Sequence, residues 1–73
     1  MKLPEEPPIT PFFSPAAIKQ VREINKASPS MFARRLNVSI STIWRWEVGA
    51  ARPSGFARKL LAVVQKHGLQ ILV

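Results

Sequence analysis

Four serines each precede a short segment with a helical pattern, and this arrangement limits the folds that the chain can adopt. Ser14, Ser28, Ser39 and Ser54 each precede a run whose apolar residues recur every three or four positions. A serine hydroxyl before a helix accepts a hydrogen bond from a backbone N–H of the first turn. Proline, which follows two of these serines, is favoured at the first helical position. The pattern therefore predicts four short helices and an all-α fold.

Each predicted helix has one apolar face, which we expect to point into the core. The first helix starts at Pro15 and breaks over residues 25–27, and the fourth covers 55–67 and stops at Gly68. The apolar tail 69–73 fits an edge strand, a packed extension or a dimer contact, and the sequence does not choose among them. The residues expected to point inward are Ile18, Val21, Phe32, Ala33, Leu36, Ile43, Trp46, Phe56, Leu60, Leu61 and Val64.

Only about three residues separate the second predicted helix from the third. Asn37 tolerates the left-handed backbone conformation that a tight turn needs, and Val38 follows it as a buried plug. Two helices joined by so short a turn meet at about 90–120°, so that one crosses the DNA phosphates while the other enters the major groove. The spacing predicts a helix-turn-helix whose base-reading helix runs over residues 40–48.

The N-terminal end of the chain is rich in proline. Because proline lacks an N–H donor and fixes its own φ angle, this stretch is not expected to form a regular element. We expect a flexible Pro-rich arm over residues 1–13 and one helix-turn-helix domain over 14–73. Ile9, Phe12 and Phe13 are apolar residues of the arm that are able to dock on the domain or on a partner.

The charge of the chain indicates a polyanionic partner. Eleven Lys and Arg residues oppose four Asp and Glu residues, for a net charge of +7. Two of the acidic residues, Glu5 and Glu6, lie in the arm, which leaves Glu23 and Glu47 in the predicted domain. Such an excess of positive charge favours nucleic acid as the binding partner, and an acidic protein is the alternative. The basic residues are scattered over several segments, which argues against a basic amphipathic helix on a membrane.

Catalytic and metal-binding residue types are scarce. The chain has no cysteine and one histidine, which excludes disulfides and thiolate zinc sites and leaves no set of nucleophile, base and metal ligand. It also lacks the run of about 20 apolar residues that spans a bilayer and the apolar stretch of a signal peptide. We expect a cytoplasmic protein that is not an enzyme, with no cofactor, no metal site and no membrane partner.

The start of the third helix is expected to read the DNA bases. In a helix docked with its N-terminus in the major groove, the cap, the first turn and the residue one turn later face base edges. The planar guanidinium group of Arg45 can form two hydrogen bonds with a guanine base. The alternatives for Arg45 are a phosphate contact or a solvated charge. Ile40 suits a thymine methyl group, the alternative being a core position. The expected base-reading residues are Ser39, Ile40, Ser41 and Arg45.

A second group is expected to contact the phosphate backbone. Trp44 and Trp46 lie about 200° apart on a helix and cannot share a face. If Trp46 points inward, Trp44 points outward. Three environments are then open to Trp44: contact with the DNA backbone, contact with a protein partner, or partial burial. Lys26 and Arg35 are further candidates for phosphate contacts. The expected phosphate-binding residues are Ser30, Arg34, Thr42, Trp44 and Arg52.

The central run FARRLNVSISTIWRWEVGAARPSG resembles the lambda-repressor/Cro-like helix-turn-helix family, also called the Xre family. The likeness covers about residues 14–67. The continuation PSGFARKLLAVVQKHG is similar to the HigA-like antitoxins of bacterial toxin–antitoxin operons. The residues that match the family pattern are Phe32, Ala33, Leu36, Val38, Ser39, Thr42, Trp46, Glu47, Gly49 and Pro53.

This resemblance implies a small four-helix lambda-repressor-like domain in which Glu47 forms a buried structural ion pair with Arg22. It also implies a homodimeric transcriptional repressor that binds double-stranded operator DNA and serves as the antitoxin of a type II toxin–antitoxin operon. Such an antitoxin regulates its own promoter and has a cognate toxin as a partner. The chain departs from the family at Pro29, where members often have a phosphate-contacting glutamine, and at Asn37, where they often have glycine.

Two other binding functions stay open. The first is a protein-interaction module that keeps the fold without reading specific DNA, and Pro29 and Trp44 favour it. The second is a nonspecific or RNA-binding protein, but such proteins use an exposed aromatic stacking surface that this sequence lacks.

Overall fold

The computed structural model describes residues 12–72 as a helical domain. Within that range no strand occurs, and no helix is long and apolar enough to cross a membrane. The predicted all-α fold class is therefore confirmed, whereas most of the predicted arm, including Ile9, lies outside the described residues. The elements are α1 (Pro15–Ile24), α2 (Pro29–Leu36), α3 (Ile40–Val48), α4 (Gly55–His67) and a short 3₁₀ turn, Leu69–Ile71.

All four predicted serine caps are present. The Oγ atom of each serine accepts a hydrogen bond from the backbone N–H three residues later, at 3.1 Å in α1, α2 and α3 and 3.2 Å in α4. Proline occupies the first position of α1 and of α2, where its missing N–H has no helical partner to lose. These local bonds place the helix starts where the sequence predicts them.

Left-handed residues end the first three helices. Asn37, at φ 60° and ψ 44°, turns the chain after α2, and the next N–H, that of Val38, bonds back to the carbonyl of Ala33 at 2.9 Å. Gly49, at φ 80°, ends α3 in the same way. Lys26, at φ 55°, does so after α1. The first two agree with the sequence analysis, which did not anticipate a left-handed lysine.

One apolar cluster joins all four helices. Nearly all of the residues expected to point inward are buried or packed against the cluster, which confirms the helical spacing argument. Val38 is half-buried at its edge. Phe13, the last residue of the predicted arm, is buried in the cluster, while Phe12 beside it is exposed. The buried residues are Phe13, Ile18, Val21, Ala27, Phe32, Ala33, Leu36, Ile43, Trp46, Ala57, Leu61, Val64 and Leu69.

Phe56 does not join the core, and its predicted burial is wrong. The ring is 75% exposed, because α4 turns Ala57, Leu61 and Val64 inward instead. These three positions lie four and three residues apart and form one face. Position 56 is rotated from position 57 by about 100°, out of the core.

The tail after α4 is a packed extension over its described part. Leu69 is buried, and its backbone N–H donates to Oδ1 of Asn25 at 2.9 Å. Asn25 in turn donates through Nδ2 to the carbonyl of Val21 at 2.7 Å. One amide side chain therefore fastens the C-terminal turn to the end of α1, a link of 44 residues along the chain.

Candidate nucleic-acid interface

Helix α3 presents one face to the core and the opposite face to solvent. Ile43 is fully buried and Trp46 is 4% exposed, so these two side chains hold the helix from behind. Ser39, Ser41 and Arg45 are exposed on the other side. The helix thus displays its N-terminal cap, its first turn and one arginine of its second turn, the arrangement that a major-groove helix requires.

Ile40 lies outside the core. Its side chain is 39% exposed at the first position of α3, which removes the alternative of a core residue. An isoleucine left partly in water at the tip of a helix has apolar surface available for another apolar group. The methyl group of thymine is such a group in the DNA major groove.

The hydroxyls of Ser39 and Thr42 bond to each other at 2.8 Å. The Ser39 Oγ atom also accepts the backbone N–H of Thr42. Since one hydroxyl hydrogen is used between the two side chains, the pair retains one hydrogen to donate outward. The two positions therefore act together as a single outward donor at the start of α3.

Trp44 and Trp46 have opposite environments. Trp44 is 57% exposed, whereas Trp46 belongs to the core. Trp44 shares a shallow cleft with Ser41, Arg45 and Val48, all on the outer face of α3. The outer face therefore has an apolar stripe, Ile40, Trp44 and Val48, at intervals of four residues. Val48 was not among the predicted site residues, although its spacing of four residues from Trp44 was an available signal.

Four arginines border a groove beside α3. Arg34 and Arg35 come from the end of α2, Arg45 from α3 and Arg52 from the loop before α4. The groove has a volume of about 1110 Å³, and Thr42 also lines it. The structure therefore brings three predicted phosphate-binding residues, Arg34, Thr42 and Arg52, to the same concave surface as Arg45.

Ser30, the remaining predicted phosphate contact, belongs to α2 but does not line the groove. It is exposed in the first turn of that helix, one turn before the exposed Arg34. Residues four apart on a helix share a face. Ser30 and Arg34 thus form an outer edge of α2, separate from the cleft that contains Ser41 and Trp44.

The acidic residue of α3 is neutralised inside the domain. The guanidinium of Arg22 donates from Nε to Oε2 of Glu47 at 2.7 Å and from Nη2 to Oε1 at 3.0 Å. The hydrogen bonds to Glu47 raise the pKa of Arg22 above its ordinary value, against the opposing effect of burial. The charge of Glu47 is therefore balanced locally and does not oppose the arginines on the outer side of the helix.

No model of a protein family matches the chain. It is similar to antitoxin HigA-2 of Vibrio cholerae serotype O1, with 43% identity over 54 residues. The similarity covers 74% of this chain and 52% of the relative, so the chain spans about half the length of that protein. The resemblance to a HigA-type antitoxin, predicted from the sequence, is confirmed.

Proposed function

We propose that this chain, which resembles antitoxin HigA-2, is a sequence-specific DNA-binding repressor. In this proposal it is the antitoxin of a type II toxin–antitoxin operon, represses its own promoter and binds a cognate toxin. It acts in the cytoplasm by binding and carries out no catalysis. The observation that supports this most strongly is the outward display of the first two turns of α3, with Ile43 and Trp46 buried behind them.

In the proposed complex, α3 enters the major groove with its N-terminus first. Arg45 pairs with a guanine, Ile40 packs on a thymine methyl group, and the hydroxyls of Ser39 and Ser41 contact base edges. These roles follow from exposure on one face of α3 and from the chemistry of each side chain.

Phosphate contacts on both sides of α3 fix its register. Ser30 and Arg34 meet one strand from the outer edge of α2, and Arg52 meets the backbone from the loop after α3. Thr42 and Trp44 contact the backbone nearer to the helix itself. Guanidinium groups bind phosphate in bidentate geometry, which makes Arg34 and Arg52 the main anchors of the complex.

A homodimer would present two copies of α3 to DNA. Two half-sites one helical turn apart, about 34–36 Å, would then form a palindromic operator. A domain of this size buries only about 60% of the surface of its unfolded chain, so a partner copy would add to its stability.

The test is a titration of the chain on its own upstream DNA and on a random duplex, each at two salt concentrations. Specific binding requires higher affinity for the upstream DNA. Release of counterions from phosphate also predicts that affinity falls as salt rises, with a slope of about −0.9 per neutralised phosphate. Equal affinity for the two duplexes would contradict the specific repressor.

The exposed stripe of Ile40, Trp44 and Val48 favours a second candidate function, a protein-interaction module with the same fold. Pro29, which offers no N–H at the start of α2, also weakens one expected phosphate anchor. The same titration separates the two candidates, because the module would bind neither duplex selectively. For that candidate, substitution of Trp44 would weaken binding of the toxin or another protein partner.

A further inference from the structure

The groove beside α3 has apolar lining residues that DNA binding does not explain. Besides the arginines, it is lined by Phe56 and Leu60 of α4 and by Leu72 of the tail. Leu60 and Leu72 are partly buried against the core, while most of the Phe56 ring is in water. An apolar surface of this kind gains nothing from a phosphate group.

Phe56 is exposed because other residues of α4 form the face that packs into the core. Helix α4 fills the core with Ala57, Leu61 and Val64, which leaves the Phe56 ring exposed along the groove. Burial of a phenylalanine side chain is strongly favourable. A partner that covers Phe56 therefore gains free energy that the isolated domain does not capture.

The charged residues of the groove indicate the charge of that partner. Arg34, Arg35, Arg45 and Arg52 border the groove, and no acidic side chain occurs among the described residues that line it. Guanidinium groups collected in this way attract carboxylates, which they bind in bidentate geometry. A ligand that fills the groove is therefore expected to combine several negative charges with apolar groups.

The open shape of the groove favours a polypeptide segment over a small molecule. Small-molecule pockets are about 300–1,000 Å³ and enclose most of their ligand. This groove is partly open to solvent and has a volume of about 1110 Å³. A peptide that combines carboxylates with large apolar side chains matches the size of the groove, its charge and its apolar lining.

We infer that the groove formed by α2, α3 and α4 binds an acidic amphipathic peptide segment of a partner protein. Its carboxylates pair with the four arginines, and its apolar side chains cover Phe56 and Leu60. This binding is independent of the proposed DNA function. One consequence does depend on it: because Arg34, Arg45 and Arg52 are shared, an occupied groove cannot hold DNA, and the acidic partner releases the operator.

The test starts from a library of random peptides displayed on phage and selected on the full chain. We expect the enriched peptides to combine several acidic residues with large apolar residues. A selected peptide is then synthesised with a fluorescent label, and its affinity is measured by anisotropy. Absence of enrichment, or enrichment of peptides without acidic residues, would overturn the inference.

Matched variants then locate the binding site. Phe56→Ser should weaken the peptide about tenfold or more, since the burial of a large apolar side chain is lost. Ile24→Ser is the control, because Ile24 is equally exposed but does not line the groove. Arg35→Ala should also weaken the peptide, whereas Lys66→Ala, which removes the same charge away from the groove, should not. If Phe56→Ser binds the peptide as tightly as wild type, the groove is not the site.

Competition with DNA gives the last readout. The peptide should displace upstream DNA from the wild-type chain, whereas Phe56→Ser should keep its DNA affinity and resist displacement. The two proposals fail separately. If no duplex is bound selectively but the peptide binds at Phe56, only the repressor function is wrong; if DNA is bound selectively and the peptide is not, only the groove inference is wrong.

Discussion

Arg22 on α1 and Glu47 on α3 are joined by two side-by-side hydrogen bonds of 2.7 and 3.0 Å. The same guanidinium donates from Nη1 to the carbonyl of Ala27 at 3.1 Å. One arginine therefore ties the first helix to the loop that follows it and to the helix that we propose to read DNA. The orientation of α3 depends on this pair as well as on the apolar core.

Removal of either partner of this pair should destabilise the domain. The two side chains are only 13% and 10% exposed, so Glu47→Ala leaves a mostly buried guanidinium without its carboxylate. We expect the free energy of unfolding to fall by about 3 kcal/mol, the lower end of the range for buried pairs. Urea denaturation followed by circular dichroism measures the change.

The control for this prediction is Glu23→Ala, which removes an exposed carboxylate from α1 and should change stability by less than about 0.5 kcal/mol. Similar stability for the Glu23 and Glu47 variants would show that the pair contributes little. The pH dependence has a definite sign as well. Because the pKa of Arg22 is raised above its ordinary value, the stability that Arg22 contributes through this shift is complete below that ordinary value and is lost as the pH rises through the folded pKa.

Asn37 should be replaceable by glycine but not by a β-branched residue. Its φ of 60° lies in the left-handed region, which glycine enters freely. Asn37→Val should lower the free energy of unfolding by about 1–2 kcal/mol, while Asn37→Gly should leave it nearly unchanged. Thermal unfolding of the two variants tests this, and equal melting temperatures would argue against a strained turn.

Arg45 and Arg52 should differ in what they do to DNA selectivity. On the proposed function, Arg45→Ala removes a base contact and should relax the preference at one base pair by about 1–3 kcal/mol. Arg52→Ala should weaken all duplexes alike and reduce the salt slope by about one. Lys66→Ala, an exposed charge at the end of α4, is the control for net charge. Identical behaviour of the Arg45 and Arg52 variants would show that their assigned roles are wrong.

Tryptophan fluorescence should report DNA binding through Trp44 alone. Trp44 is exposed on the outer face of α3, whereas Trp46 is in the core. We expect upstream DNA to change the emission of the wild-type chain and to protect it from acrylamide quenching. In Trp44→Phe both effects should disappear while the chain remains folded. Persistence of the DNA-dependent change in that variant would place the contact elsewhere.

Asn25 should control the C-terminal turn. Asn25→Ala removes the acceptor of the Leu69 N–H, so amide hydrogen exchange at Leu69 should become faster. Asn25→Asp keeps an oxygen acceptor and should retain most of the protection of Leu69, although it loses the bond to Val21. Unchanged exchange at Leu69 in Asn25→Ala would mean that burial of Leu69 alone holds the turn in place.

The local features of this protein were determined by its sequence. A serine cap bonds to a backbone N–H only three residues away, and a left-handed Asn37 or Gly49 ends a helix through bonds within the same turn. Helical spacing likewise selects Ile43 and Trp46 as one face of α3. Such interactions span a few residues, so the order of residues is sufficient to predict them. The Arg22–Glu47 pair was anticipated only through the family resemblance.

The tertiary structure alone decided how these pieces combine. Phe56 and Ala57 are neighbours in sequence, and only packing against the other helices placed Ala57 inside and Phe56 at the groove. The bond between Asn25 and Leu69 joins positions 44 residues apart, and the four arginines come from three separate segments. Contacts at such separations depend on the relative placement of whole helices, because helical periodicity orients a side chain about its own axis but does not identify what it will meet.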